Sequence, residues 1–559
     1  MSNKKGDQPV QLSNAKHVDV AGSPSNDRGL FRTRDFYVLS ILLAIFWVGV
    51  LRHIELPGLY MDAVNPDYLA AHTLNPELNN PVWTIPTAWF PILGNLYHGV
   101  QTYYLALPID AVFGMNIVSV RLGQALFGAL IIALSFAIMI RTTGNRLLAF
   151  VAAAGLATDI AFIASFRTQN YIILAGEVWL LASILCLLLQ PGPHRRAAWR
   201  PFLSGVCFGL AAYGYFVFLF FGPAVIWLAG STAIGKTKRV IAIWIGGVVV
   251  GMLPYVVGYA SLVVALGDMS AAIAWIQAAL HNLSPFSSQL SIWGDVANAG
   301  LLSQYAMTNT SNEFMLLGGR LHAMWPNLRL ACVVLVLLCG LATTLSSKRM
   351  SNRSHQTSAL LIALPLVYIL VASPLGTRLW AHHFSVLIPF GYLSTAIAAS
   401  ELMVGKDDRL LGLAKIFPKV ICVVGIVVLC LNVRQQNHFY SELEETGGVG
   451  LATNALTTLA DDARPLKTSV VYVFPDWGFF MSFALLTNNQ VPYALELSPN
   501  LISQHRQTAN EIRIAIWKET DVQKYSALLD QYGVHSLQVQ TYRRNDGVPA
   551  FYLIRGSLR

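Results

Sequence analysis

The feature that most constrains this chain is a succession of long apolar runs separated by short charged stretches. An α-helix needs roughly 17 to 25 mostly apolar residues to cross a bilayer. Only 12% of the 559 residues are charged, against roughly 25% in soluble proteins. The sequence therefore predicts a polytopic α-helical membrane protein with about eleven transmembrane helices, at 36–53, 119–140, 147–165, 171–190, 202–217, 219–235, 240–265, 329–345, 358–373, 384–400 and 418–434.

Lysine and arginine are concentrated in alternate segments between these runs. The basic segments carry Lys4, Lys5, Arg32 and Arg34, then Arg141, Arg146, Arg195, Arg196, Arg200, Lys236, Lys238, Arg239, Lys348, Arg349, Arg353, Lys406, Arg409 and Lys415. Because basic segments stay on the cytoplasmic side, we expect a cytoplasmic N-terminus and, after an odd number of spans, a periplasmic C-terminus. The expected location is a bacterial inner membrane. Two long segments, the first loop (54–118) and the second loop (266–328), then lie on the outer face.

The charge pattern also divides the chain into parts. Residues 1–34 are polar and predict a disordered cytoplasmic tail, and 35–435 form the transmembrane module. From 440 to 559 polar and apolar residues alternate, which predicts a soluble α/β domain. Its expected elements are a helix at 449–463, a strand at 469–474, helical 478–486, a strand at 512–517, a helix at 522–532 and a hairpin of 536–540 with 551–554.

The net charge of +9 does not indicate a nucleic-acid partner, because the basic residues are dispersed between apolar runs. The cysteines argue against disulfides and structural zinc. All six lie inside apolar runs without CxxC spacing or nearby histidines.

Two carboxylates follow the first apolar run within a short motif. Asp62 and Asp67 lie five residues apart in the stretch YMDAVNPDY. A carboxylate at the membrane surface can accept the proton of an attacking hydroxyl, as group transfer to an alcohol requires. Either residue could equally cap the start of a helix, and spacing does not decide between these roles.

Five stretches of the chain carry a resemblance to a known family. They read YMDAVNPDYLAAH followed by PTAWFPILGNLYHGVQTYY and FGMNIVSVRLGQALFGALIIALSFAI; ASFRTQNYIILAGEVWLLASILCLLL; and RLWAHHFSVLIPFGYLSTAIAA. Together they resemble the GT-C membrane glycosyltransferases, in the branch of protein O-mannosyltransferases and lipid A aminoarabinose transferases. Residues 114–122, which end in Arg121-Leu122, match the family's helix start. No Glu follows Asp62 as in the family's acidic motif, and the pair Asp67-Tyr68 is an alternative equivalent.

The resemblance implies an enzyme that takes a sugar from a polyprenyl-phosphate donor and transfers it, with inversion, to a hydroxyl of a glycan, lipid or protein. Asp67 or Asp62 would be the base. Candidates for binding the donor phosphate are Arg378, His382, His383, Arg167 and Arg320, although such residues also anchor helices or bind lipid headgroups. Some relatives use a divalent metal such as Mg²⁺ or Mn²⁺ bound by paired acids; the Asp-x-Asp spacing is absent here, so metal dependence is left undecided.

Glu177, Tyr68 and Arg121 are second-rank candidates for the functional site. Glu177 lies inside a predicted membrane helix, where an ionisable group is costly. Two other classes of protein share this composition. A secondary transporter would show an internal repeat and broken helices, and we find no similarity between two halves of the chain. A non-catalytic envelope glycan assembly protein would share the topology and lack an essential aspartate in the first loop.

Overall fold

The computed structural model describes residues 33–168, 171–189, 199–232, 237–283, 291–321, 324–346, 353–403 and 411–559. The predicted tail at 1–34 lies almost entirely outside them. In the described residues up to 446, the regular elements are helices and one small hairpin. Its helices are α1 (Thr33–Leu51), α2 (Leu69–Leu74), α3 (Gln101–Phe113), α4 (Ile117–Thr143), α5 (Arg146–Thr158), α6 (Ile160–Ala164), α7 (Tyr171–Leu188), α8 (Trp199–Gly214), α9 (Gly222–Thr232), α10 (Thr237–Gly251), α11 (Leu253–Leu266), α12 (Met269–Leu283), α13 (Ile292–Met307), α14 (Thr310–Leu317), α15 (Met324–Thr344), α16 (Arg353–Ala372), α17 (Leu387–Met403) and α18 (Leu411–Thr446).

Every predicted apolar run overlaps these helices, and two runs cover two helices each: 147–165 covers α5 and α6, and 240–265 covers α10 and α11. Among the described residues, seven helices are long and apolar enough to cross a membrane, or eight if α5 and α6, bent by 49°, form one span. The helices α7, α8 and α9 have 18, 16 and 11 residues, and a crossing needs about 20. The polytopic helical architecture is therefore confirmed, while the count of eleven spans is not.

Glycines allow close packing between α8 and α10. A Cβ at Gly205 would lie 2.0 Å from the carbonyl oxygen of Trp244, and one at Gly251 would lie 2.2 Å from that of Val206. Small residues of this kind let membrane helices approach backbone to backbone.

The two predicted loops are structured. The first loop contains α2, α3, a 3₁₀ turn at Met61–Val64 and a short hairpin of β1 (Leu93–Asn95) and β2 (His98–Gly99). The second loop contains α12, α13 and α14 in its described residues.

A five-stranded sheet follows α18, which confirms the predicted C-terminal sheet domain. Its elements are α19 (Ala455–Ala463), β3 (Val470–Val473), α20 (Phe480–Leu486), β4 (Tyr493–Ala494), α21 (Pro499–His505), β5 (Glu511–Ile516), α22 (Val522–Gln531), β6 (His535–Arg543) and β7 (Pro549–Ser557). The strand order is β4-β3-β5-β7-β6. The strand β3 is parallel to β4 and β5, and β7 is antiparallel to β5 and β6. Only β4 and α21 have no counterpart in the elements predicted from the sequence.

The C-terminal domain packs against the first loop. Ser482 donates a hydrogen bond of 2.8 Å to the carbonyl of Leu59. The Asn80 amide donates to the Asn489 side chain at 2.8 Å and to the carbonyl of Val491 at 3.0 Å. One apolar cluster contains side chains from both the first loop and the C-terminal domain. The first loop is consequently held between the helices and the sheet domain.

Candidate functional site

A cavity of about 1310 Å³ lies where the two loops, the turn between α16 and α17 and the C-terminal domain meet. We call it the site cavity. It is lined by Tyr60, Asp62, Asn65, Trp83, Asn95, Tyr97, His98, Tyr215, Phe216, Phe220, Leu302, Tyr305, Thr310, Ser311, Phe314, Met315, Leu375, Arg378, Leu379, Trp380, Ala381, His382, His383 and Trp477.

Asp62 is the acidic side chain among the described residues that line the cavity. It lies on the 3₁₀ turn Met61–Val64 and is partly buried. The Tyr60 hydroxyl donates a hydrogen bond of 2.6 Å to its Oδ2. Burial raises the pKa of Asp62, and hydrogen bonds from Tyr60 and Trp477 oppose that rise. A carboxylate with a raised pKa and an open face can accept a proton more readily than an exposed one.

Asp67, in the same motif, is not among the residues that line the site cavity. Its side chain is 3% exposed, and its carbonyl accepts a hydrogen bond from the Ala70 amide as the chain enters α2. Tyr68 is fully buried beside it, accepts a hydrogen bond of 2.7 Å from the Trp83 amide and packs edge-on against Phe480. Tyr68 therefore packs between the first loop and the C-terminal domain.

Three of the predicted phosphate-binding residues, Arg378, His382 and His383, line the site cavity. They follow a turn in which Gly376 has a φ of 54°, a conformation that glycine adopts without steric cost. The His383 Nδ1 accepts a hydrogen bond of 3.0 Å from the Trp380 amide, and its Nε2 lies 3.1 Å from the Tyr215 hydroxyl. The His382 and His383 rings lie 4.1 Å apart.

Arg167 and Arg121 lie deeper, below the first loop. Arg167 donates to the carbonyls of His53 at 2.8 Å, Leu56 at 2.7 Å and Val50 at 2.9 Å, and also to that of Arg52. Arg121 donates to the carbonyl of Pro57 at 2.6 Å. These cations satisfy the carbonyls that a helix end leaves without partners, so they fix the chain between α1 and the 3₁₀ turn.

The remaining candidates also lie away from the site cavity. Arg320 forms ion pairs with Asp546 at 3.3 Å, Glu445 at 3.7 Å and Glu442 at 3.9 Å, and so joins the second loop to α18 and the sheet domain. Glu177 is completely buried in α7, and its carboxylate oxygens make no hydrogen bond to the described residues.

Several lining residues had no role assigned from the sequence. Burial lowers the pKa of His98 to about 4, which keeps it neutral, and its ring stacks on Tyr215 at 5.9 Å. Tyr60 lies two residues before Asp62 in the same motif, so the sequence could have indicated that it lies close to Asp62. Trp477 lies more than 400 residues from Asp62 in sequence, and nothing in its local sequence indicates their contact.

The described residues contain no group of three or more His, Cys, Asp or Glu side chains that could hold an ion, and Asp67 does not line the site cavity with Asp62.

Comparison with known proteins finds similarity to solved structures. Neither family models nor curated protein sequences match the chain. Among solved structures, ArnT from Cupriavidus metallidurans bound to undecaprenyl phosphate has a TM-score of 0.58 and 11% identity, over 94% of this chain and 98% of that one. The same protein in the apo state has a TM-score of 0.54 and 11% identity, over 93% and 97%. The chain therefore has the fold of ArnT.

Proposed function

We propose that this chain is a GT-C glycosyltransferase that moves a sugar from a polyprenyl-phosphate donor to a hydroxyl acceptor. The observation that carries the proposal is the composition of the site cavity. Asp62, which can take up a proton, shares it with Arg378, His382 and His383, which can bind an anion. A transfer reaction that expels a phosphate needs both kinds of group around one space.

Asp62 is the proposed general base. In the reaction, the acceptor oxygen bonds to the anomeric carbon of the donor sugar while the bond from that carbon to the phosphate oxygen breaks. The acceptor proton passes to the Asp62 carboxylate, and the polyprenyl phosphate leaves with the bonding electrons. One displacement inverts the anomeric configuration. The raised pKa of Asp62 supports this role, because a base works best when its pKa approaches the working pH.

Arg378, His382 and His383 are the proposed binding group for the donor phosphate. A guanidinium presents planar donors that match phosphate oxygens, and donors fixed before the reaction stabilise charge as it develops on the leaving group. ArnT, with the same fold, was solved with undecaprenyl phosphate bound, which supports a lipid phosphate of this class as the carrier. Tyr215, Phe216 and Phe220 give the cavity an aromatic wall beside the helices.

The proposed setting is a bacterial inner membrane with the N-terminus in the cytoplasm. The site cavity and the domain at 440–559 then face the periplasm, on the side predicted from the distribution of lysine and arginine. Glycan, lipid and protein acceptors all fit this proposal, and membrane lipids surround the helices.

Transfer by the purified chain tests the proposal. The chain is reconstituted in liposomes with radiolabelled polyprenyl-phosphate sugars and candidate acceptors, and Asp62→Asn is compared with Asp67→Asn. We expect Asp62→Asn to lower kcat by about 100-fold or more, the size of a lost general base. The Asp67→Asn protein should keep most of its activity per folded molecule, because Asp67 lies outside the cavity.

Other outcomes would redirect the assignment. Equal activity of Asp62→Asn and wild type would remove the base from the proposal. Uptake of a solute into the same liposomes without sugar transfer would favour a transporter. If the chain shows no sugar transfer and no solute uptake, and is recovered in a complex with envelope glycan enzymes, that result would favour an assembly protein.

A further inference from the structure

Two half-exposed tryptophans stand in the wall of the site cavity. Trp83 of the first loop is 51% exposed and Trp477 of the C-terminal domain is 44% exposed, and both line the cavity. Their rings meet edge to face, with centroids 5.4 Å apart and planes at 82°. Because one ring of such a pair uses only its edge, the contact leaves aromatic faces that the partner does not cover. We call Trp83 and Trp477 the tryptophan pair.

Hydrogen bonds and ring contacts fix the tryptophan pair. The Trp83 amide donates a hydrogen bond of 2.7 Å to the Tyr68 hydroxyl, and the Trp477 carbonyl accepts one of 2.8 Å from the Trp517 indole. The Phe480 ring contacts Trp477 at 6.3 Å and Tyr68 at 6.1 Å. These contacts close a circuit between the first loop and the C-terminal domain. The exposed rings are therefore held in place before any ligand binds, which lowers the entropy cost of binding.

An amide in the same cavity has an oxygen without a partner. Asn65 lines the site cavity and is 8% exposed, and its buried Oδ1 accepts no hydrogen bond from the described residues. A buried acceptor left unpaired is costly, and most such groups in native proteins have a partner. A hydroxyl of a ligand in the cavity would supply the missing donor.

Asn65 and Asp62 belong to one turn. Asn65 ends the 3₁₀ turn that carries Asp62, and its backbone amide donates to the Asp62 carbonyl at 3.4 Å. Both side chains line the site cavity. A sugar ring carries hydroxyls on neighbouring carbons, so one hydroxyl can meet Asp62 while another meets Asn65. A serine or threonine side chain has a single hydroxyl and cannot do both.

The volume and the wall of the cavity indicate the same kind of ligand. Pockets of about 300 to 1,000 Å³ enclose a drug-sized ligand. The site cavity has about 1310 Å³, which leaves room for an acceptor beside the sugar phosphate of the donor. The face of a sugar ring presents C–H bonds, which pack against aromatic faces, and its rim presents hydroxyls, which donate to amide and carboxylate oxygens. An acyl chain would use the rings and leave the amide unpaired.

We propose that the acceptor is a glycan, one sugar ring of which packs against the tryptophan pair while one of its hydroxyls donates to the Asn65 Oδ1. The inference rests on the proposed glycosyltransferase function and names the acceptor class of that reaction. A second hydroxyl of the glycan loses its proton to Asp62 as its oxygen bonds to the anomeric carbon of the donor and polyprenyl phosphate leaves. Through Trp477, the C-terminal domain takes part in acceptor binding.

Binding to an array tests the inference without a donor. The full chain in detergent is applied to immobilised oligosaccharides of bacterial envelopes, namely lipid A cores, O-antigens and cell-wall glycans, and to peptides that contain serine and threonine. We expect wild type to bind saccharides of at least one of these classes and none of the peptides. The apparent Kd for the bound saccharide should rise about tenfold or more in Trp83→Ala and Trp477→Ala, and about fivefold in Asn65→Ala.

Trp89→Ala is the matched control, because Trp89 is 58% exposed on the same loop and is not among the residues that line the site cavity. Its apparent Kd should equal that of wild type. The thermal midpoint shows whether each variant is folded. Asn65→Ala removes an oxygen that accepts no hydrogen bond from the described residues, so it tests the inference even if a tryptophan variant fails to fold.

Three results on the array would overturn the inference: no saccharide bound by wild type, binding of peptides alone, or an unchanged Kd in the folded variants. In the transfer assay, Trp83→Ala should raise KM for the acceptor and leave KM for the polyprenyl-phosphate sugar as in wild type. A rise confined to the donor would assign the tryptophan pair to the donor sugar and also overturn it. Saccharide binding that requires the pair, in a chain that transfers no sugar, would support the glycan site and remove the proposed function instead.

Discussion

Arg329 and Asp159 form a buried ion pair, with the guanidinium Nη2 3.0 Å from the carboxylate Oδ2. The pair joins α15 to the bend between α5 and α6. Tyr392 on α17 completes it, because its hydroxyl donates to Asp159 at 2.8 Å and accepts from Arg329 at 3.0 Å. Three helices thus meet at one polar contact inside the bundle.

Breaking this pair should destabilise the fold. Arg329→Met leaves the Asp159 charge buried without its cation, and we expect a loss of about 3 to 5 kcal/mol in the free energy of unfolding. Chemical unfolding of the purified chain in detergent measures it. The double variant Asp159→Asn with Arg329→Met removes both charges and should recover most of that stability. Equal stability of Arg329→Met and wild type would contradict the prediction.

Two arginines predicted from the sequence to bind phosphate should behave differently. Arg378→Gln removes a cation from the site cavity, so binding of undecaprenyl phosphate should weaken by about tenfold or more. Native mass spectrometry in detergent measures the bound fraction. Arg320→Gln is the matched change outside the cavity and should leave lipid binding as in wild type. Equal weakening by both variants would point to a general electrostatic effect.

Tyr60 should set the acidic limb of the pH–rate profile. Its hydroxyl donates to the Asp62 carboxylate, which favours the charged form and so lowers the pKa of Asp62. Tyr60→Phe removes that donor, and the pKa rises. A base acts only when deprotonated, so the rising limb of kcat/KM should move to higher pH by about one unit. A limb that stays in place would exclude Asp62 as the group that titrates.

Arg167 should prove essential for folding. Its guanidinium donates to carbonyls of residues 50–56, and Arg167→Met would leave them buried without donors. We expect a loss of about 3 kcal/mol or more, read from the thermal midpoint and the yield of folded protein. Arg167→Lys should rescue little, because one ammonium cannot reproduce the planar fork. A stable Arg167→Met protein that fails to bind undecaprenyl phosphate would instead favour the phosphate-binding role.

Sequence periodicity predicted most of the architecture because hydrophobic burial repeats with the geometry of each element. All predicted apolar runs are helical, and the strands near Val470, Ile512, Val539 and Ile554 lie in the sheet. The strand β4 was not predicted, because its two residues are too few to show an alternating pattern of polar and apolar side chains. The runs that became α7, α8 and α9 are helical as predicted. Composition alone does not show how much of each helix crosses a bilayer.

The site was harder to predict, because it depends on contacts between distant segments. Asp62 and Asp67 look alike in sequence, but the folded chain places Asp62, on the 3₁₀ turn, in the cavity lining and buries Asp67 elsewhere. Arg378 and Arg167 both precede apolar runs or lie at helix ends. In the folded chain Arg167 donates to carbonyls of residues 50–56, whereas Arg378 lines the site cavity.

The hydrogen bonds from Ser482 to Leu59 and from Asn80 to Asn489 bind the first loop to the sheet domain. The first loop and the sheet domain are far apart in sequence, yet their contacting surfaces are complementary. Grafting the sheet domain of one relative onto the helices of another would pair mismatched surfaces directly beside Asp62. Functional chimeras should therefore exchange 54–118 and 447–559 as a unit, and natural recombination within this lineage should respect the same pairing.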